Sequence, residues 1–361
     1  MVPVPVADPC HRLIARRGSA ATLRRMSWKV LITARTLNVE SVGRRALELL
    51  KGAGCELIHP PKFGPLTAEE LLPLLPGMDA VFASMDRFSA PVLESKAARE
   101  LKLVSRWGVG YDAIDIPSAT ANGVVVAFTP GLLNDAVADY AMALLFALAR
   151  RVHEGHLSMR QGTWTSAWGH DISGKTLGII GCGRIGQTVA RRVSGFDMRV
   201  LGFDVTPHPE AVARGVQFVS LDQLLAESDF ISLHAALNPV TRGLIGEPEL
   251  RKMKRSAYLI NTARGAIVDE AALLRALQEG WIAGAGLDAF ATEPLPAEHP
   301  LRSAPNLLLT PHQASFGYET GERVSMAAAQ AIVDLQAGRR PAWVVNPEVY
   351  DAPGLRVKLA G

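Results

Sequence analysis

Short apolar runs alternate along this chain with longer stretches in which apolar residues recur every three or four positions. The short runs have the length and β-branched content of buried strands, and the longer ones the spacing of one helix face. In the first third, strands are predicted at 28–33 (WKVLIT), 55–59, 80–84, 101–105 and 123–128. Helices are predicted at 39–50, 67–75 and 90–96, with a short one after the loop 107–115. The helix at 67–75 opens with Thr67 and Glu70, the spacing of a capping box. A long helix is expected over 130–151, followed by a loop at 162–169 rich in Gly and Trp. Strands then follow at 176–180, 199–204, 230–234, 257–261, 284–288 and 306–309. Helical stretches at 221–227, 248–251 and 270–279 fill the gaps, and another runs over 319–337. Strands alternating with helices predict parallel α/β sheets.

One junction carries a chemical signature. The segment TLGIIGCGRIGQTVARRV runs from a strand pattern through Gly181, Gly183 and Gly186 into a helix pattern. A G-x-G-x-x-G turn in that setting fits a dinucleotide: Gly181 for the tight turn, Gly183 for approach of a pyrophosphate, Gly186 for close helix packing. The helix N-terminus offers unpaired N–H groups and a positive dipole end. The next strand pattern, RVLGFD, ends in Asp204, 18 residues beyond Gly186, where a carboxylate takes the adenosine ribose hydroxyls. No Arg or Lys stands among Val205, Thr206, Pro207 and His208, so NAD is favoured over NADP.

Composition narrows the setting. The chain has 361 residues, enough for two domains, and a net charge of only +3 with no basic block in its body, which does not indicate nucleic acid. Cys10, Cys55 and Cys182 form no C-x-x-C pair, consistent with a cytoplasmic setting and no metal site. The longest apolar run, 136–149, is too short for a bilayer and contains Asp139. Residues 1–27 carry five arginines against one acid and no apolar signal region. They are read as a disordered extension, with Met26 as a natural start, although organellar transit peptides share that composition.

Three residues follow strands of the second half, where ligands sit in open α/β sheets. Arg264 lies in NTARGAIVD, Glu293 in GLDAFATEP and His312 in LTPHQAS. Arginine holds a carboxylate through two hydrogen bonds. Histidine moves a proton near neutral pH. Glutamate beside it stabilises the imidazolium. Reduction of a 2-oxo acid by a nicotinamide hydride needs that set.

The chain resembles the D-isomer-specific 2-hydroxyacid dehydrogenases, the family of phosphoglycerate, glycerate and glyoxylate/hydroxypyruvate reductase-type enzymes. The resemblance covers about residues 29 to 349 and rests on GVGYDAID (108–115), TLGIIGCGRIG, NTARGAIVDEAALLRAL, GAGLDAFATEP and LTPHQAS in order. It implies two Rossmann-like or flavodoxin-like parallel-sheet domains with an active-site cleft between them. Residues 28–126 plus 317–361 would bind substrate, and 127–316 would bind NAD. Arg264 would hold the carboxylate and C2 oxygen of a 2-oxo or 2-hydroxy acid, with the N–H groups of Val109 and Gly110. His312 would be the acid/base, paired with Glu293. Arg184 and Ile185 would contact the pyrophosphate, and Thr262, Ala263 and Asp288 would flank the nicotinamide. A homodimer through the cofactor domain is implied as well.

Three departures bear on this. Asp139 replaces a common Glu, His234-Ala235-Ala236 replaces the usual His-x-Pro, and Phe316-Gly317-Tyr318 replaces a Thr-rich sequence after His312. Arg106 stands where phosphoglycerate-type members hold the substrate phosphate, but Ser84 occupies the place of a second such arginine, with Arg87 near it. Phosphoglycerate, glyoxylate, hydroxypyruvate and larger acids all stay open. Formate-type relatives carry Gln at the position of Glu293, which argues against them; phosphite oxidation and an NAD-sensing corepressor-like role remain as alternatives.

Overall fold

The computed structural model describes residues 27–360. The reading of residues 1–27 therefore lies, up to Met26, outside the described residues. Two parallel sheets organise the chain. The first is built from β1 (Lys29–Ile32), β2 (Glu56–Ile58), β3 (Ala80–Ala83), β4 (Leu103–Arg106) and β5 (Val125–Ala127), in the order β2-β1-β3-β4-β5. Its connections hold α1 (Glu40–Gly52), α2 (Ala68–Leu71), α3 (Ala90–Leu93) and α4 (Ile116–Ala121). Strands β3, β4 and β5 are buried along their whole length because helices cover both faces; β3 and β5 read as unbroken apolar runs, while β4 (LVSR) buries Ser105 and Arg106 as well. Thr67 and Glu70 form the capping box their spacing predicted.

The helix predicted over 130–151 is shorter at both ends, and a second helix that was not anticipated follows it. A turn precedes α5 (Asn134–Ala149), and α6 (Val152–Arg160) follows it as a separate helix. Arg151 between them is left-handed, with φ of 52°, which ends the α5 ladder and re-aims the chain. Val152, Leu157 and Met159 leave α6 exposed.

The second sheet follows: β6 (Thr176–Ile180), α7 (Arg184–Val193), β7 (Arg199–Phe203), α8 (Pro209–Val212), β8 (Gln217–Phe218), α9 (Leu221–Glu227) and β9 (Phe230–Leu233). It continues with α10 (Glu247–Lys252), β10 (Tyr258–Asn261), α11 (Glu270–Gln278), β11 (Gly284–Leu287) and β12 (Leu307–Leu309). The strand order is β12-β11-β10-β9-β6-β7-β8, and every pairing between the named strands of both sheets is parallel. The short α8 and β8 were not anticipated; a two-residue strand offers too few positions for an alternation signal.

The chain then returns. α12 (Tyr318–Gln336) packs on α1 of the first body, with Val324, Ala328, Ile332 and Leu335 in one core with Ala46 and Leu50. Ser105 Oγ donates to the Ala328 carbonyl and Trp107 Nε1 to Ser325 Oγ, at 2.8 and 3.0 Å. Asn346, wholly buried, accepts from the Val126 N–H and donates to the Val124 carbonyl and to Thr120. No helix among the described residues is long and apolar enough to cross a membrane.

Candidate active site

In each sheet the chain order reverses beside the first strand, β1 or β6, and crevices form at the carboxyl ends of strands there. A cleft of about 1000 Å³ lies between the two sets of ends. It is lined by Arg106, Val109, Gly110, Ile185, Thr262, Ala263, Arg264, Asp288, Glu293 and His312. Those ten came from the sequence. Gly181, Gly183, Arg184, Gly186 and Asp204 are not part of that lining; they form the turn at the ends of β6 and β7.

The turn has the geometry a dinucleotide requires. Gly181 adopts φ of +91°, and a Cβ there would fall 2.4 Å from the Ala235 nitrogen. A Cβ on Gly186 would fall 2.2 Å from the Gly181 carbonyl oxygen, so strand and helix meet without room for a methyl. A Cβ on Gly183 would meet nothing within 4 Å. No side chain caps α7, and its first turn holds no acid, which leaves an open, positive helix end. Asp204 is fixed by the N–H groups of Cys182 and Val205, both at 2.7 Å. Burial first, and the charge of Asp204 second, push the Cys182 thiol up to about 12, so it stays protonated. Thr262 and His234 line this cleft, and Thr262 Oγ1 and His234 Nδ1 are buried without a protein partner among the described residues. The residues present therefore fit NAD.

The loop after β10 is held by Asn261, a fully buried amide. Its Oδ1 accepts from the Ala263 N–H and its Nδ2 donates to the Arg264 carbonyl, at 3.0 and 2.9 Å. Arg264 then reaches across the cleft. Its Nε donates to Asp112 Oδ1 at 2.9 Å and its Nη1 to the Ala263 carbonyl at 2.8 Å. Its Nη2 lies where Gly110 lacks a side chain, 1.4 Å from the position a Cβ would take. The N–H groups of Val109 and Gly110 donate to no backbone acceptor among the described residues.

Arg106 is buried beneath that loop. Its Nε donates to the Gly110 carbonyl at 3.0 Å and its guanidinium also meets Met85 Sδ. Burial, then the charge of Arg264, pull its pKa down to about 10, against the opposing pull of Asp86 and Asp112. Asp86 accepts from Thr33 Oγ1 and from the N–H groups of Leu66 and Ser84, and burial raises its pKa despite those bonds.

The strand ends of β11 and β12 bring the titratable pair together. His312 Nδ1 lies 2.7 Å from Glu293 Oε2, and Glu293 Oε1 accepts from the Phe290 N–H at 2.8 Å. Glu293 thus sets the tautomer and leaves Nε2 for the cleft. His312 is left-handed, with φ of 50°, and the loop is held in that form by Asp288. Asp288 accepts from Thr310 Oγ1, the Gln313 N–H and the Ala314 N–H, at 2.6, 2.9 and 2.7 Å. It is almost fully buried, and burial raises its pKa. Asp112, Asn261 and the bracing part of Asp288 escaped the sequence reading. The available signal was a polar residue at the last position of an apolar run, as in YLIN and GLD.

The comparisons with known proteins agree with this geometry. Residues 142–314 match the model of the D-isomer specific 2-hydroxyacid dehydrogenase, NAD binding domain. A glyoxylate reductase of Thermofilum pendens is 43% identical over 323 residues, 87% of this chain and 95% of that protein. One from Korarchaeum cryptofilum is 47% identical over 271 residues, 73% of this chain and 81% of the relative. Among solved structures, the TT0316 protein from Thermus thermophilus superposes with a TM-score of 0.79 at 40% identity, covering 88% of this chain and 99% of that one. With strand order, glycine turn and cleft in agreement, the chain belongs to the D-isomer specific 2-hydroxyacid dehydrogenases, NAD-dependent oxidoreductases that interconvert 2-hydroxy and 2-oxo acids.

Proposed function

We propose that this enzyme reduces glyoxylate, and 2-oxo acids of similar size, to the 2-hydroxy acid. The observation that carries the reading is the convergence of Arg264 and the His312–Glu293 pair on one cleft, at 2.7 Å within the pair. The relatives named glyoxylate reductase support the substrate. So does the burial of Arg106, whose guanidinium braces a loop rather than standing open to a phosphate.

NADH, when bound, supplies the hydride to C2. Asp204 would hold its adenosine ribose, Arg184, Ile185 and the amides around Gly183 its pyrophosphate, and Thr262 and Ala263 would flank its nicotinamide. Arg264 Nη2 and the N–H groups of Val109 and Gly110 hold the substrate carboxylate, and the guanidinium polarises the C2 oxygen. His312, protonated, gives the Nε2 proton to that oxygen as the carbonyl becomes an alcohol, and ends neutral. Glu293 stabilises the imidazolium beforehand and holds the ring plane. Asp288 acts through the loop it fixes, and Arg106 through the carbonyl of Gly110.

On this reading 28–126 with 317–361 forms the substrate-binding body, and 127–316 the cofactor body. The exposed Trp164 and Trp168, with Val152, Leu157 and Met159 of α6, support a homodimer through that face. The cysteine content supports a cytoplasmic setting. A panel of 2-oxo acids assayed with NADH and NADPH tests the proposal. Glyoxylate turned over with NADH is the expected result. Bound NADH with no turnover of any acid would remove it. Light scattering on the pure protein should give twice the chain mass, and a monomer would withdraw the dimer.

A further inference from the structure

We infer that Asp112 is a positioning residue for Arg264 and that the carboxylate anchor is complete only when this pair spans the cleft. The inference rests on the proposed role of Arg264. Four observations lead to it. First, the two side chains come from opposite bodies: Asp112 from the loop after β4, Arg264 from the loop after β10. Second, the bond uses Nε, at 2.9 Å, and Nη1 is tied to the Ala263 carbonyl at 2.8 Å. The planar guanidinium is then fixed, and Nη2 is the group left to meet a ligand beside Gly110. Third, Arg264 has no other carboxylate partner among the described residues, and it lies close enough to Arg106, a second cation, for its charge to help lower the Arg106 pKa. Without Asp112 the repulsion between the two guanidinium groups would be less offset, and Arg264 would be held by its bond to the Ala263 carbonyl alone. Fourth, both side chains are largely sheltered, at 19% and 28% exposure, so solvent screens the pair less than a surface bridge.

The consequence is a division of labour within one loop. Val109 and Gly110 offer N–H groups to the carboxylate, while Asp112, two residues on, sets the angle of the arginine that meets the same group. Only Gly at 110 lets the guanidinium pass.

Three variants test the inference: Asp112→Ala, Asp112→Asn and Arg264→Lys. The readouts are KM for glyoxylate, kcat, and the affinity of oxamate, a non-reducible 2-oxo acid isostere, for the NADH complex. Loss of a charge-assisted hydrogen bond predicts a roughly tenfold rise in both KM and oxamate Kd in Asp112→Ala. Asp112→Asn, isosteric and still an acceptor, should fall between it and the native enzyme. Affinity for NADH alone should change less than about twofold in each, since the pair lies away from the glycine turn. In the Arg264→Lys background, which lacks the Nε donor, Asp112→Ala should add less than about twofold. Unchanged oxamate affinity in both Asp112 variants overturns the inference, as does a full additive loss in the double variant. If Arg264→Lys itself leaves oxamate affinity and KM unchanged, the anchor reading fails first. If that variant loses oxamate and the Asp112 variants do not, the anchor stands and only Asp112's part is lost. A fall in kcat and in melting temperature with KM unmoved would mark Asp112 as merely structural.

Discussion

The two sheets share a construction, and their first strand-to-helix crossings show how differently one topology can be used. In the second sheet β6 passes through Gly181 and Gly183 directly into α7, whose first turn holds Gly186 and no acid and whose N-terminus is open at Gly183. In the first sheet a turn of 3-10 helix, Arg35–Asn38, fills the equivalent space before α1. Glu40 stands in the first turn of α1 and satisfies its dipole. A Cβ on Gly43 would fall 2.0 Å from the Leu37 carbonyl, so the helix is packed down on that turn. Asp86, at the end of β3, has its bonds made within the first body. His234 and Thr262, at the ends of β9 and β10, keep an atom without a protein partner.

Substitutions can break this contrast, beginning with the largest effect. His312→Ala should lower kcat by about a thousandfold while NADH affinity holds, because a positioned general acid contributes on the order of 10²–10⁴. An unaltered rate would end its assigned part. Next is acid stability of the apo enzyme. Burial pulls His234 down to about 4 from 6.5, so the folded state binds fewer protons than the unfolded one. Its contribution is intact above pH 6.5 and declines as pH falls toward 4, by about 3 kcal/mol in all. Asp86 has the opposite sign: its raised pKa contributes most below the ordinary carboxylate range, and that contribution is lost as pH rises through the raised value. His234→Gln should therefore flatten the melting temperature between pH 6.5 and 4; an unchanged slope would show that the ring titrates freely. Third, Gly183→Val should keep the native melting temperature, since its Cβ has open space, and weaken NADH about tenfold or more. A stability loss with unaltered NADH affinity would reverse the reading of that turn. Last, Glu40→Gln should cost under about 1 kcal/mol and leave NADH affinity untouched. A gain in nucleotide binding there would mean that the two helix ends differ less than their geometry indicates.

How far the site was legible follows from what kind of signal each residue leaves. Arg264, Glu293 and His312 stand beside strand patterns with fixed motifs, and the cleft gathers all three. Asp112 lay inside a quoted motif, yet no spacing rule joins it to Arg264, which is 152 residues away. Asp288 was placed beside the nicotinamide, but its visible contacts are with the loop of His312, a task that depends on where β12 ends relative to β11. The helix α6 was missed because none of its residues is buried, so VHEGHLSMR carries no apolar core face to mark it.

The sequence by itself determined the local structure: the strand runs, the capping box at Thr67, the glycine turn, and the acid that ends β7. These depend on neighbours within a few residues, where sterics and short hydrogen bonds decide the conformation. Local patterning did not show which strand ends face each other or that α12 returns to the first body; the family resemblance implied both, and the tertiary structure shows the packing that brings them about. It alone joined Asp112 to Arg264 across the cleft. Those relations arise from burial of apolar faces against distant partners, and the free energy of that packing is set by the whole assembly of sheets and helices rather than by any stretch of chain.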